Sequence, residues 1–273
     1  MIVVSKSSLE RAPACPRALA WMFHKGYRRP DSSEYLEVGR AFHAGLAKWY
    51  TGASEEEAVE EIRKQTMHPE EPERLFRWYI QNADDSGWKP VAVEIPFGLK
   101  AGAGAVVGIL DLIVETDSGL WVVDHKTARS VSANYFSGIE RDPQVLLYEW
   151  AAIQCGFQVS GFIMNVVQKT KAPELFRYSV PFDARRVEWV GQHLATYLDE
   201  LAKLPPDDAE IIRLPGNPLA CRTCPFAEVC ELDSMPEEAL AALELLVSSG
   251  EIERRDYDRF AVVEGRNHEA TNE

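Results

Sequence analysis

The spacing of apolar residues along the chain changes period twice. After a cap at Ser7 or Ser8, Leu9, Ala12, Leu19 and Phe23 fall on one side of a helix over 5–24, which Pro13 and Pro16 break or restart. Over 34–50, Leu36, Phe42, Leu46 and Trp49 recur near helical spacing and predict a stronger helix. Ser54 followed by Glu57 forms a capping box for a helix through about Thr66, and another helix covers Glu73–Ala83. The period then shortens. Pro90–Phe97 alternates as a strand, residues 101–105 turn, Val106–Glu115 is a second strand, Asp117-Ser118-Gly119 turns again, and Leu120–Lys126 is a third. Short turns between these strands predict antiparallel hairpins. Asp142–Cys155 returns to helix, Phe162–Gln168 and Leu175–Pro181 are β-rich, Asp183–Leu204 is a long amphipathic helix, and 236–248 is a short one. This order predicts an α/β sheet with one crossover, decorated by N-terminal helices.

Composition narrows the class. The 273 residues are 46% hydrophobic and 26% charged, which describes a folded chain rather than a disordered or fibrous one. No run of 18 apolar residues predicts a membrane span, and MIVVSKSSLE lacks a signal-like apolar stretch, so the expected compartment is the cytoplasm. The net charge is −14, and residues 231–273 carry much of it, with 12 acidic and 4 basic residues. Such a balance excludes a protein that coats nucleic acid electrostatically, but it is compatible with an enzyme that meets it in one local channel.

Charge on apolar strands is costly unless paired or metal-bound. Asp111 lies in the run Gly108-Ile109-Leu110-Asp111-Leu112-Ile113-Val114, and Asp124 and Lys126 share one face of the next strand. Two carboxylates brought together repel, which a divalent cation relieves, and an adjacent ammonium can steady charge developing on a phosphate. The competing reading is a solvent-facing hairpin with an ordinary Asp–Lys pair. Glu94, on the preceding strand, is either a third acid of the cluster or a surface residue. Gly39 is expected to let the 34–50 helix approach closely and bring His43, a neutral nitrogen ligand, over the acidic edge. Gln144 and Tyr148, at i and i+4, share a helical face and can hydrogen-bond a phosphate or a metal-bound water.

Gly39-x-x-x-His43, Gly108-x-x-Asp111, Asp124-x-Lys126-Thr127 and Gln144-x-x-x-Tyr148 together resemble the PD-(D/E)XK nuclease superfamily, in its RecB-like exonuclease branch, with the motifs in that branch's order over residues 39–148. The resemblance implies a restriction-endonuclease-like mixed-sheet core. It implies that His43, Asp111 and Asp124 are metal ligands for Mg²⁺ or Mn²⁺, joined by the carbonyl of His125. It further implies that Lys126 is the catalytic lysine and that Gln144 and Tyr148 lie near substrate. Leu110 stands where the family name has Pro.

Five cysteines, Cys15, Cys155, Cys221, Cys224 and Cys230, are too few and too odd in number for a disulfide scaffold. Cys221, Cys224 and Cys230 follow C-x2-C-x5-C, and three thiolates need a fourth ligand. Cys15, among Arg11, Arg17 and two prolines, is one candidate and Cys155, at the end of an apolar helix, is its rival. The resemblance favours Cys15. In the AddB nuclease domain and the CRISPR-associated RecB-like exonucleases, one cysteine before the nuclease motifs joins three after them around a [4Fe–4S] cluster. Spacing alone leaves zinc open. Such a centre would staple segments about 200 residues apart. Trp21, Phe23 and Phe226 with Lys25, Arg28 and Arg29 form either a surface for a nucleic-acid strand or a basic turn packed on core aromatics.

The expected organisation is an N-terminal helical region (1–87), a nuclease core (88–204), an iron–sulfur segment (205–235) and an acidic helix with a polar tail (236–273). The expected function is metal-dependent DNA exonuclease action, with a narrow passage by the cluster segment favouring single strands. No Walker A motif is present, so unwinding would fall to a helicase or other recombination partner. Two other classes compete. One is a non-catalytic DNA-end-binding or scaffold subunit, for which intact acids and Lys126 have little use. The other is a small-molecule zinc hydrolase, for which no HExxH helix is present.

Overall fold

The computed structural model describes residues 1–10, 12, 15–28, 30, 34–204, 221–232 and 236–254. Pro13, Arg29, most of the proline-rich stretch before Cys221 and the polar tail beyond 254 fall outside the described residues. The chain divides into two compact units, each built from separate stretches.

The larger unit (Ser32–Phe97, Gly108–Gly191 and Gly265–Glu273) holds the candidate chemistry. It opens with three helices, α3 (Glu34–Tyr50), α4 (Glu55–Gln65) and α5 (Glu70–Asn82). The expected capping box on α4 is present: Ser54 Oγ accepts from the Glu57 amide while the Glu57 carboxylate accepts from the Ser54 amide at 2.8 Å. Helix α5 starts a turn earlier than the periodicity predicts, because Pro72 sits in its first turn, where a missing N–H costs nothing. Phe42, Leu46, Ile62, Leu75, Phe76 and Tyr79 bury one apolar core among the three helices and Val167 of the sheet. Gly45, not Gly39, is the glycine this packing requires. A Cβ at Gly45 would stand 2.6 Å from Ile62 Cδ1, whereas at Gly39 it would meet only Thr127 Oγ1 at 3.7 Å, an ordinary contact. The close-approach role expected of Gly39 is therefore corrected.

Strands β3 (Lys89–Ala101), β4 (Gly104–Thr116) and β5 (Gly119–Ala128) follow, and β3 pairs with β4. The β4–β5 hairpin is antiparallel from Thr116↔Gly119 to Leu112↔Val123. Helix α6 (Pro143–Gln154) then carries the chain to β6 (Val159–Gln168), which runs parallel to β5, and β7 (Glu174–Pro181) pairs antiparallel with β6. This is the crossover that the pattern predicts; the parallel pairing of Ile2–Ser5 with β4 adds a second that it did not. Asp142 caps α6 by accepting from the Gln144 amide at 2.7 Å, with Pro143 in the first turn. Alternate residues of β5 point to opposite faces. One face meets the α3–α5 core through Val123 and Val167; the other meets α6, where Tyr148 lies against Phe162.

The smaller unit (Met1–Asp31, Gly98–Val107 and Gln192–Glu264) begins with β1 (Ile2–Ser5), parallel to residues 104–107. Strand β1, with Ile2 and Val4 alternating inward, precedes the helix expected over 5–24, which starts at Lys6. The cap moves with it. Ser5 Oγ accepts from the Ser8 amide, and Ser8 Oγ accepts from the Ser5 amide at 2.7 Å. Helices α1 (Lys6–Glu10) and α2 (Pro16–Phe23) follow, and β2 (Tyr27–Arg28) pairs with β8 (Glu253–Arg254). Helix α7 (Ala184–Ala202) runs from the larger unit into the smaller along the chain. No helix among the described residues is long and apolar enough to cross a membrane.

Glu149 of α6 is buried in the larger unit with its Oε1 unpartnered, and burial pushes its carboxyl up to about 7, against the pull of Arg186. Its ionisation is therefore harder in the folded chain than in the unfolded one, so stability falls as pH rises from about 4.5 to about 7 and stays lower above. Glu149→Gln is expected to recover up to about 3 kcal/mol at pH 8 and little at pH 4, read from denaturant unfolding. An equal effect at both pH values would contradict this.

Candidate active site

The β4–β5 ladder ends at Leu112↔Val123, and the next residues across it are Asp111 and Asp124. Beyond the ladder the backbone amide of His125 is free to donate to Asp111 Oδ2, at 3.0 Å. His43 reaches the same carboxylate from α3, with Nδ1 3.2 Å from Oδ2. On β5, Lys126 Nζ lies 2.9 Å from Asp124 Oδ1 and 2.7 Å from Oδ2. Gln144 of α6, itself buried, donates to Asp124 Oδ1 at 2.5 Å. Oδ2 of Asp124 accepts no well-directed hydrogen bond and faces only the lysine charge.

These contacts set the ionisation. Burial would raise Asp111, but His43 and Lys126 overcome it and hold the carboxyl well below the usual range. Asp124 is raised by burial against the pull of Lys126, with Asp111 adding to the rise. Burial would lower His43, and the Asp111 carboxylate raises it instead. Lys126 likewise stays cationic: burial would lower it, and the two aspartates raise it. The result is a compact group of two acids and two bases in which each charge has a partner. Among the described residues no three or more His, Cys, Asp or Glu side chains are arranged as a metal site; Lys126 and His43 satisfy the acids instead.

Glu94 belongs to the same group. Its carboxyl is pushed up to about 7 by burial and by Asp111, with His43 opposing. Its backbone is in the left-handed region at φ 50°, a costly conformation for a residue with a side chain. The sequence left this residue between cluster and surface, and the fold brings it to the cluster.

Tyr148 is placed differently from Gln144. Its ring packs against Phe97 and Phe162, at 6.3 and 6.5 Å between centroids, one turn further along α6. Gly108 makes room for this packing, since a Cβ there would stand 2.5 Å from Phe97 Cζ. Gln144, expected to face a phosphate or a water, spends its amide on Asp124 and so orients that carboxylate.

The His125 imidazole points to the other face of the sheet. Burial lowers its pKa to about 3, so the ring is neutral, and its Nδ1 accepts from Asn165 Nδ2 at 2.9 Å. Asn165 also donates to the Tyr79 hydroxyl and accepts from Arg177 Nε, both at 2.9 Å. Arg177 pairs with Asp85 at 2.6 Å and covers the Trp88 ring at 4.0 Å. Tyr50 donates to Asp85 and stacks on His125 at 5.5 Å. This network was not read from the sequence. Its one signal was Asn165, a polar residue inside the apolar run Phe162-Ile163-Met164-Asn165-Val166-Val167, in register with His125.

In the smaller unit, Cys15, Cys224 and Cys230 pack against one apolar cluster around Trp21, Phe226 and Leu243. Cys221 is exposed one turn away, its carbonyl accepting from the Cys224 amide at 3.2 Å. Cys155 belongs to the larger unit, with its thiol pushed up by burial. Trp21 and Phe226 meet edge to face at 5.1 Å and are buried, as is Phe23. These aromatics are therefore core and Arg28 pairs with Glu253, while Arg29 of the same patch lies outside the described residues.

A family model of the PD-(D/E)XK nuclease superfamily matches residues 3–231. The chain belongs to that superfamily. Among solved structures it is similar to a protein from Eubacterium rectale described as a candidate exonuclease, at 9% identity over 72% of this chain and 76% of that one, with a TM-score of 0.47. It is also similar to the protein SSO0001, at 17% identity over 74% and 87% of the two chains, with a TM-score of 0.34. Both scores are too low to carry an argument about this chain. No curated protein matches it. As a PD-(D/E)XK nuclease, the chain is a nuclease with DNA as its substrate, and divalent metals such as Mg²⁺ are typical cofactors of the superfamily. The mixed α/β sheet described above fits the restriction-endonuclease-like fold of these enzymes.

The buried polar network anchors β5 on the face opposite the acids. Asn165→Leu removes its central member and strands Arg177 Nε and His125 Nδ1. It is expected to cost about 2–4 kcal/mol in denaturant unfolding. A loss below about 0.5 kcal/mol would show that the network holds nothing in place.

Proposed function

We propose that this PD-(D/E)XK nuclease is a metal-dependent DNA exonuclease that acts on single strands. The observation that carries the reading is the meeting of Asp111, Asp124 and Lys126 at the end of the β4–β5 ladder, with His43 and Gln144 closing around them. Asp111, Asp124 and His43 would hold Mg²⁺ or Mn²⁺, together with the carbonyl of His125. The fit rests on donor chemistry: two carboxylates, a nitrogen ligand, and a buried Asp124 oxygen that accepts no hydrogen bond. When bound, such an ion polarises the scissile phosphate and activates water.

The chain's own groups do the remaining work. Lys126 is held cationic by the aspartates and steadies negative charge on the phosphate as it is attacked. Gln144 fixes the rotamer of Asp124, and the His125 amide fixes that of Asp111. Glu94, poised near neutrality, supplies a further carboxylate to the centre. Tyr148, backed by Phe97, faces the adjacent strand of substrate. Lys126→Ala is expected to lower cleavage of end-labelled single-stranded DNA in Mn²⁺ by about 100-fold or more, and Asp124→Asn to abolish it. Circular dichroism should show both variants folded at the assay temperature, with Lys126→Ala the less stable because it leaves buried Asp124 without its cation. Undiminished cleavage by Lys126→Ala would overturn the assignment, and wild-type cleavage that survives chelation of divalent ions would overturn the metal.

We further propose that Cys15, Cys221, Cys224 and Cys230 bind a [4Fe–4S] cluster that ties the ends of the smaller unit together. What supports this is that Cys15, Cys224 and Cys230, far apart in sequence, all pack against the one apolar cluster around Trp21 and Phe226, while Cys155 belongs to the other unit. Protein purified without oxygen is expected to be brown, with about four iron and four sulfide per chain, and Cys15→Ser to lose most of both. One zinc per chain, or neither metal, would contradict the cluster.

A further inference from the structure

We infer that Tyr135, Phe136 and Tyr178 form a stacking surface for an unpaired nucleobase of the strand being cut, and that this surface sets the demand for single-stranded substrate. The inference rests on the nuclease reading above and names what would give that reading its preference.

Register places the surface. Asp124 pairs with Met164 across β5 and β6, and Met164 pairs with Tyr178 across β6 and β7. Residues paired across a sheet share a face, so Tyr178 stands on the catalytic face, two strands or roughly 10 Å from Asp124. The Phe136 ring stacks on Tyr178 at 5.4 Å and 12°, and Tyr135 meets Phe136 edge to face at 5.0 Å. The Tyr178 hydroxyl donates to Glu140 at 3.1 Å, which fixes the ring by its edge. Tyr135 lies within electrostatic range of Lys126, Asp124 and Asp142, on the side of the row towards the catalytic group.

Two features make this more than a pinned loop. Tyr135 and Tyr178 remain 38% and 36% exposed, among the few large aromatic side chains of the described residues left open to solvent. The ends of β5 and β6, four residues along the register from Tyr178 or roughly 13 Å, carry cations in an otherwise acidic chain. Arg129 follows β5, Lys169 donates from its amide to the Ala128 carbonyl at 2.7 Å, and Lys171 is two residues on. Aromatic faces on the same side of the sheet as a phosphate-seeking lysine, with cations further along the strand ends, match the chemistry that holds a single strand by its bases and its backbone. A base within a duplex has its faces covered by its neighbours and cannot use such a platform.

The test uses the full chain with a short single-stranded oligonucleotide, either intact or carrying one abasic residue near the cleaved end, in Mn²⁺. The wild type is expected to cut the intact strand with kcat/KM about tenfold or more above the abasic one, mainly through KM. Tyr135→Ala should lose that discrimination, and Tyr135→Trp should restore it. Fluorescence anisotropy in chelator, with the same oligonucleotides, reads stacking independently of cleavage and should show the same ratio. If the wild type cuts neither strand in Mn²⁺ yet discriminates them by anisotropy, the nuclease reading fails and the stacking surface stands. Equal binding and cutting of the intact and abasic strands by the wild type would overturn the surface, as would a discrimination that Tyr135→Ala leaves unchanged.

Discussion

The arrangement depends on a place where hydrogen bonding stops. Between Leu112↔Val123 and the next pair, β4 and β5 cease to exchange backbone bonds, and two carboxylates stand where a ladder rung would be. Acids enclosed this way repel each other and have lost their water, a penalty of several kcal/mol unless cations and donors offset it. The fold supplies these from three directions: Lys126 along the same strand, His43 from α3 and Gln144 from the first turn of α6. Each of these side chains has a structural job in holding an acid, and each is also a group that phosphodiester chemistry can use.

Strand β5 is fixed from both sides. Asp124 and Lys126 face α6, while His125 between them faces the helices and is locked into the Asn165–Arg177–Asp85 network with Tyr50 and Tyr79. A slip of one residue would exchange the two faces, burying a carboxylate and an ammonium among apolar helices and turning a neutral imidazole to the acids. The network therefore specifies register as well as adding stability. The parallel pairing with β6 extends the same control to β7, so that a residue as distant in sequence as Tyr178 has a definite place on the catalytic face.

Much of this was legible in the residues. The capping box at Ser54, the Asp142–Pro143 start of α6, the hairpin turn at Asp117–Gly119 and the grouping of Asp111, Asp124 and Lys126 all rest on local rules, and local rules hold here. What escaped was tertiary. Ile2–Ser5 is too short to announce itself as a strand until residues 104–107 are beside it. Gly39 and Gly45 look alike in a helix, and only Ile62 tells them apart. Asn165 was one polar residue in an apolar strand, without meaning until register set it against His125. Glu94 was ambiguous because neither its left-handed backbone nor its electrostatic coupling to Asp111 leaves a local trace.

The central claim is that Asp111 and Asp124 share one divalent ion beside Lys126. The most direct test is anomalous diffraction from crystals of the protein grown with Mn²⁺. The account predicts a peak within about 2.0–2.6 Å of an oxygen from each carboxylate. A fully occupied manganese elsewhere in the molecule, with none between these two residues, would contradict it.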